Sequence, residues 1–123
     1  MIKIAQPAVL IRISRSWHDG VSDEELYEVT RGVWRIGERR EQVELAFAVA
    51  GGVVREVYRL HSWHPAGSTP YHTRPYHDVC IEGRWEFVGE AAEAPQRDGY
   101  KGMDVSGWFE KGSSNPILYV NIG

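Results

Sequence analysis

Trp34 lies between Arg31 and Arg35 in the stretch T-R-G-V-W-R, residues 30–35. An indole offers a flat apolar wall, and a guanidinium offers planar, paired donors. Together they suit a flat polar ring stacked on Trp34, with the arginines on adjoining phosphates or on the edge of the ring. Alternation between core and solvent accounts for the same three residues, and both readings stand at this stage. A second concentration is HSWHPAGSTPYHTRPY, residues 61–76. Trp63 there is a candidate for the opposite wall of such a pocket, with His64, Tyr71 and Arg74 at its mouth. The plainer reading is a surface loop held by prolines, with Trp63 covering one end of the domain.

Two further residues extend the pattern. Trp17 follows Ser14, Arg15 and Ser16, which offer donors to a phosphate or a base edge. Its competing role is packing onto the helix expected just after it. Asn115 precedes Pro116, so its amide either bonds a base or shapes a turn. Trp85 and Trp108 read as structural. Metal chemistry has its own candidates in His61, His64, His72, His77 and Cys80, which include an H-x2-H and an H-x2-C pair. Tetrahedral zinc accepts such ligands. Cysteine-pair spacing is absent, however, and Val79-Cys80-Ile81 reads as a buried strand. No metal or cofactor is therefore assigned, although the histidines can make binding sensitive to pH. Nucleophile elbow, phosphate-binding glycine loop and H-E-x-x-H are all missing, so no catalytic residue is assigned. Asp23, Glu24, Glu25 and Glu28 read as helix capping and a solvated helix face.

These side chains need a frame. Residues 8–13 (AVLIRI) predict a strand. Ser22 with Glu25 predicts a capping box for a helix running to Val29 or Thr30, ended by Gly32. Residues 43–50 and 53–60 flank Gly51-Gly52 and predict a hairpin with a primed turn. On the second hairpin strand, Val53, Arg55, Val57 and Arg59 should share one face. Residues 61–79 read as a long irregular loop and 84–90 as a strand. Residues 91–102 form a connection, 104–109 a short helix capped by Asp104, and 117–122 a last strand.

Composition bounds the function. The 123 residues fit one domain, 1–123. A net charge of −3 and a pI near 5.9 argue against a long basic groove but allow a local patch. Of the 14 basic residues 11 are Arg. The single cysteine forms no internal disulfide, and no apolar run approaches a membrane span. The opening residues lack the pattern of a signal peptide, so a cytoplasmic location is expected.

The order of these elements resembles the PUA-like superfamily, which includes EVE, YTH, ASCH and SRA-type domains. The features that carry it are the opening strand, the helix ending in Gly32-Val33-Trp34-Arg35, and the hairpin across residues 46–58. The tryptophan-led strand at residues 84–88 and the closing strand follow in the same order. EVE-type domains have a G-V-R-N-like segment after the helix; here Trp34 stands where that family often has Arg. The resemblance implies an α+β, mainly β domain: a small open β-barrel with short helices at its rim. It implies DNA or RNA as partner, with a modified or flipped base held in an aromatic pocket, and in some members a restriction nuclease beside it. Two rivals use other chemistry. One is an ASCH-like or metal-dependent hydrolase in the same cleft, which would need a Lys or Glu base. The other is a protein-interaction module accessory to defence.

Overall fold

The structure, a computed structural model, describes residues 4–123. Lys3 lies outside them. Six strands form one sheet: β1 (Ala8–Arg12), β2 (Gly32–Trp34), β3 (Leu45–Ala50), β4 (Val53–Pro65), β5 (Trp85–Ala91) and β6 (Ile117–Val120). Their order is β2-β5-β4-β3-β1-β6. The sheet curls into a half-barrel with few helices, a mainly-β domain. The helices are α1 (Asp23–Arg31), α2 (Tyr76–Val79) and α3 (Gln96–Tyr100), with 3-10 turns at Glu38–Gln42 and Ser106–Trp108. Among the described residues no helix is long and apolar enough to cross a membrane.

The central strands are apolar on both faces, as strands covered on both sides must be. In β1, Ala8 and Leu10 join one core with Phe47, Val54, Val57, Tyr100 and Val105. Val9 and Ile11 join the other with Leu26, Tyr58 and Phe87. Thus α1 covers one face, while α3 and the segment after it cover the other.

Several expectations hold. Ser22 Oγ accepts from the Glu25 amide at 3.1 Å. The Glu25 carboxylate, however, faces His18 Nε2 at 3.8 Å. Gly51 and Gly52 have φ of 61° and 75°, the backbone a primed turn requires.

The departures are instructive. The order of elements suggests an antiparallel sheet, but the sheet is mixed: β1 and β3 pair in parallel and the other pairs are antiparallel. Gly32 is not a left-handed cap. Its φ is −165°, and the chain passes directly from α1 into β2, so T-R-G-V-W spans a helix end and an edge strand. The alternation expected along β4 fails because the β3–β4 register slips between Ala48 and Val49. Val54 and Val57 therefore face the same core. Strand β4 also continues to Pro65, so residues 61–65 belong to the sheet and the loop begins after them. Val79 ends a short helix, with Cys80 and Ile81 exposed, where a buried strand was expected. Residues 96–100 of the expected connection are helical. Asp104 forms a tight turn, accepting from the Ser106 amide at 2.9 Å and hydroxyl at 2.7 Å, rather than capping a helix.

Candidate functional site

Strands β2 and β6 are the two edges of the curled sheet. The curl brings them close enough to share clefts, and this seam is where the sequence-predicted residues are least committed to internal partners. The first cleft has a volume of about 540 Å³. Trp34 forms one wall, residues 12–16 another, and Ser113, Ser114 and Pro116 a third. The second, of about 430 Å³, holds Arg35, Arg39, Asn115 and Tyr119 with apolar neighbours such as Ile117. Trp34 and Arg35 are consecutive, as are Pro116 and Ile117, so both clefts are built on the same two stretches of chain along the seam. Neither contains a carboxylate, His, Cys or Lys.

Trp34 is half-buried and held in place. Its Nε1 donates to the Thr30 carbonyl at 2.8 Å, one of the carbonyls left open at the end of α1. Arg12 is committed to structure: Nη2 donates to the Ser113 carbonyl at 2.9 Å and to the Asn115 carbonyl. Ser14 Oγ accepts from Gly51 N at 3.2 Å, and Ser113 Oγ from Asn115 N at 3.3 Å. The Ser16 and Ser114 hydroxyls and the exposed Arg15 have no hydrogen-bond partner among the described residues. They are the free donors around Trp34.

The other expected residues are elsewhere. Trp17 is half-buried, with the Arg55 guanidinium 3.9 Å from its ring. Trp63 does not line the cleft of Trp34; its ring meets Phe87 edge-on at 5.4 Å. His64 Nε2 pairs with Ser62 Oγ at 2.7 Å. Asn115 does shape a turn, its Oδ1 accepting from Ile117 N at 3.0 Å, while it also lines the second cleft. Arg31, Tyr71 and Arg74 converge on a different task.

That task is holding the loop after β4. Glu86 is 0% exposed. It accepts from Gly67 N at 2.7 Å, Thr69 N at 2.8 Å, Tyr71 Oη at 3.0 Å and the Thr69 hydroxyl. Arg31, 4% exposed, faces it at 3.6 Å. Arg31 also donates to Thr69 Oγ1 at 2.7 Å and Pro70 O at 2.8 Å, and stacks on Tyr71 at 3.9 Å. Arg74 donates to the Glu28 and Gly32 carbonyls at 2.9 and 2.6 Å. Glu28, expected on a solvated face, is 4% exposed. Its carboxylate accepts from His72 N at 2.8 Å, Thr73 N at 2.7 Å and Thr73 Oγ1 at 2.6 Å. Two buried carboxylates thus pin the loop, and a buried charge demands such a set of donors.

The histidines and the cysteine are dispersed. His61 meets Glu90 at 3.3 Å, His77 meets Asp78 at 3.2 Å, and Cys80 donates to Tyr76 Oη at 3.0 Å. Only His72 joins a group with metal-ligand spacing among the described residues: Glu24, Glu28 and His72 have ligand atoms within 4.8 Å of one another. His72 Nδ1 and Glu24 lie 3.0 Å apart, so an ion pair plus the loop contacts of Glu28 account for the group.

Acid should loosen this frame. Burial pushes the Glu28 carboxyl up, but the Thr73 hydroxyl and the His72 and Thr73 amides outweigh it and hold it below the ordinary 4.5. Glu56 behaves alike: burial is outweighed by Arg97, assisted by the Val57 amide and Lys101. A depressed folded pKa stabilises above the unfolded value and loses that stability as pH falls through the folded one. Thermal midpoints should therefore fall below about pH 4.5, and Glu28→Gln should flatten that fall. His72 has the opposite sign. Glu24 raises its pKa above 6.5, so that link holds at lower pH and is lost as pH rises through the raised value.

No family model, curated protein or solved structure matches this chain.

Arg39, Tyr119 and Ser114 were not expected at the site, whereas Ser16 and Arg15 were expected as donors and do line the first cleft. Arg39-Arg40 is a visible basic doublet, and Tyr119 alternates with the core residues of β6, but only the closing of the seam unites them.

Proposed function

We propose that the seam between β2 and β6 binds nucleic acid, taking one flipped or single-stranded base against Trp34. The observation that carries this reading is the composition of the first cleft. A half-buried indole faces uncommitted hydroxyls and a free arginine, with no carboxylate in the lining, in a protein of net charge −3. A base needs a π-surface beneath it and donors at its edge. An anionic backbone needs relief from the general acidity, and the lining provides it locally. The curled mainly-β sheet, with the cleft beside Gly32-Val33-Trp34-Arg35, supports reading the domain as PUA-like, and recognition of a modified base follows from that likeness. Trp34 takes the stacking role alone, because Trp63 belongs to the core beside Phe87. A hydrolase reading has less support at the seam, whose lining offers no Lys, His or carboxylate to move a proton.

The test is an anisotropy titration with labelled short single strands and duplexes of DNA and RNA, with and without methylated bases. Trp34→Ala should weaken binding by about 1–3 kcal/mol, the usual worth of one base stacked on an aromatic side chain. Trp34→Phe should retain most of it. Unchanged affinity in a folded Trp34→Ala protein would remove the stacking role. Absence of binding by wild type to every probe would remove the reading.

A further inference from the structure

The second cleft differs in kind from the first. It contains two exposed arginines, Arg35 and Arg39, and neither pairs with a carboxylate among the described residues. Of the two acids flanking the doublet, Glu41 pairs with Arg40 at 3.2 Å, and Glu38 is exposed and outside the cleft lining. The Arg39 guanidinium lies 4.5 Å from the Tyr119 ring centroid, which fixes its plane against the cleft wall. The Tyr119 hydroxyl is buried and has no hydrogen-bond partner among the described residues. Two unneutralised guanidiniums and an orphaned hydroxyl, with no acid in the lining, make an anion subsite. Its adjacency to Trp34 is set by the chain on both walls. Trp34, the last residue of β2, is followed directly by Arg35, and on the facing wall Pro116 is followed by Ile117, the first residue of β6.

We propose that this cleft receives the phosphate next to the captured base, so that consecutive nucleotides of a single strand cross the seam between the two clefts. The inference rests on the nucleic-acid reading given above. Arg35 and Arg39 hold the phosphodiester oxygens, and the apolar wall around Ile117 receives the neighbouring nucleotide. Arg15 stays with the base on the other side. Recognition then needs a phosphodiester link: a dinucleotide competes for the site and a free nucleoside does not.

The experiment is a salt series of titrations with the best-bound short single strand, on wild type, Trp34→Ala and Arg35→Ala/Arg39→Ala. The slope of log K against log salt should lessen by about 0.7 in the double arginine variant, the value for one phosphate contact on a single strand. Affinity at low salt should fall about tenfold or more, as expected for charge-assisted hydrogen bonds. Arg35→Lys/Arg39→Lys should keep most of the slope. Trp34→Ala should lower affinity and leave the slope as in wild type. An unchanged slope in the double variant, with wild-type binding intact, overturns this subsite and leaves the base-capture reading standing. Loss of slope in Trp34→Ala equal to that in the arginine variant overturns the division into two subsites. No binding by wild type overturns both proposals.

Discussion

Glu86→Ala should destabilise the protein by roughly 3–5 kcal/mol, the range for removing one partner of a buried ion pair. The loss has two sources. Arg31 stays buried, at 4% exposure, without its anion. The amides of Gly67 and Thr69 and the hydroxyls of Thr69 and Tyr71 lose their acceptor at the same time. Arg31→Met should be milder, because Glu86 keeps those four donors. Urea unfolding of both variants checks the order. If Arg31→Met proves the more damaging, the ion pair rather than the anchoring of the loop is what Glu86 supplies. Binding at the seam should change little in whatever fraction remains folded, since neither residue lines its clefts.

Gly89→Ala should be comparably severe, at or somewhat above the upper end of the roughly 1–3 kcal/mol typical of overpacking. A Cβ there would come within 2.3 Å of the Arg59 carbonyl oxygen and 3.2 Å of Leu60 Cα. Both are backbone, so no rotamer change relieves the clash. The position is structurally strategic. Gly89 pairs with Leu60 where the β4–β5 register slips, and its amide donates to Tyr27 Oη on α1 at 2.9 Å. Moving the strand apart would cost that link as well. An unchanged unfolding midpoint would show that the β4–β5 ladder gives way more freely than its close approach suggests.

What could be read from the sequence was what is decided locally. The Gly51-Gly52 turn needs only its own backbone freedom and the strands beside it. Ser22 reaches the amide of Glu25 within one helical turn. Strand β1 announces itself by five consecutive residues of which four are fully buried. The buried polar residues were not legible. Glu28 and Glu86 look like solvent-facing charges, and Arg31 like a pocket or solvent arginine, because their partners are remote in sequence: Thr73 for Glu28, Thr69 for Arg31, Gly67 for Glu86. For the same reason the tying role of Tyr71 and Arg74 was not legible, although both do line a cleft of about 370 Å³ apart from the seam. The seam was half legible. Trp34, Arg35, Asn115 and the serines near Arg15 carry the right chemistry, yet only sheet curvature tells that residues 34–39 meet residues 113–122. The pairing of Trp34 with Trp63 failed on curvature too, because β4 extends far enough to put Trp63 opposite Phe87.

The strand order also bears on how the chain comes together in time. Strand β1 lies between β3 and β6, with Ala8 opposite Val120 and Ile11 opposite Ile117. As the polypeptide leaves the ribosome, β1 can dock on β3 early, but its other edge stays open until nearly the whole domain has been made. The entropic cost of closing so long a loop grows only slowly with length, yet the separation delays the contact. Throughout that interval an apolar strand edge is available to any other extended chain. Synthesis of residues 113–120 therefore closes two openings in one event: the segment leading into β6 supplies a wall of the first cleft and β6 itself a wall of the second, and β6 shields the first strand from association with a neighbouring nascent chain.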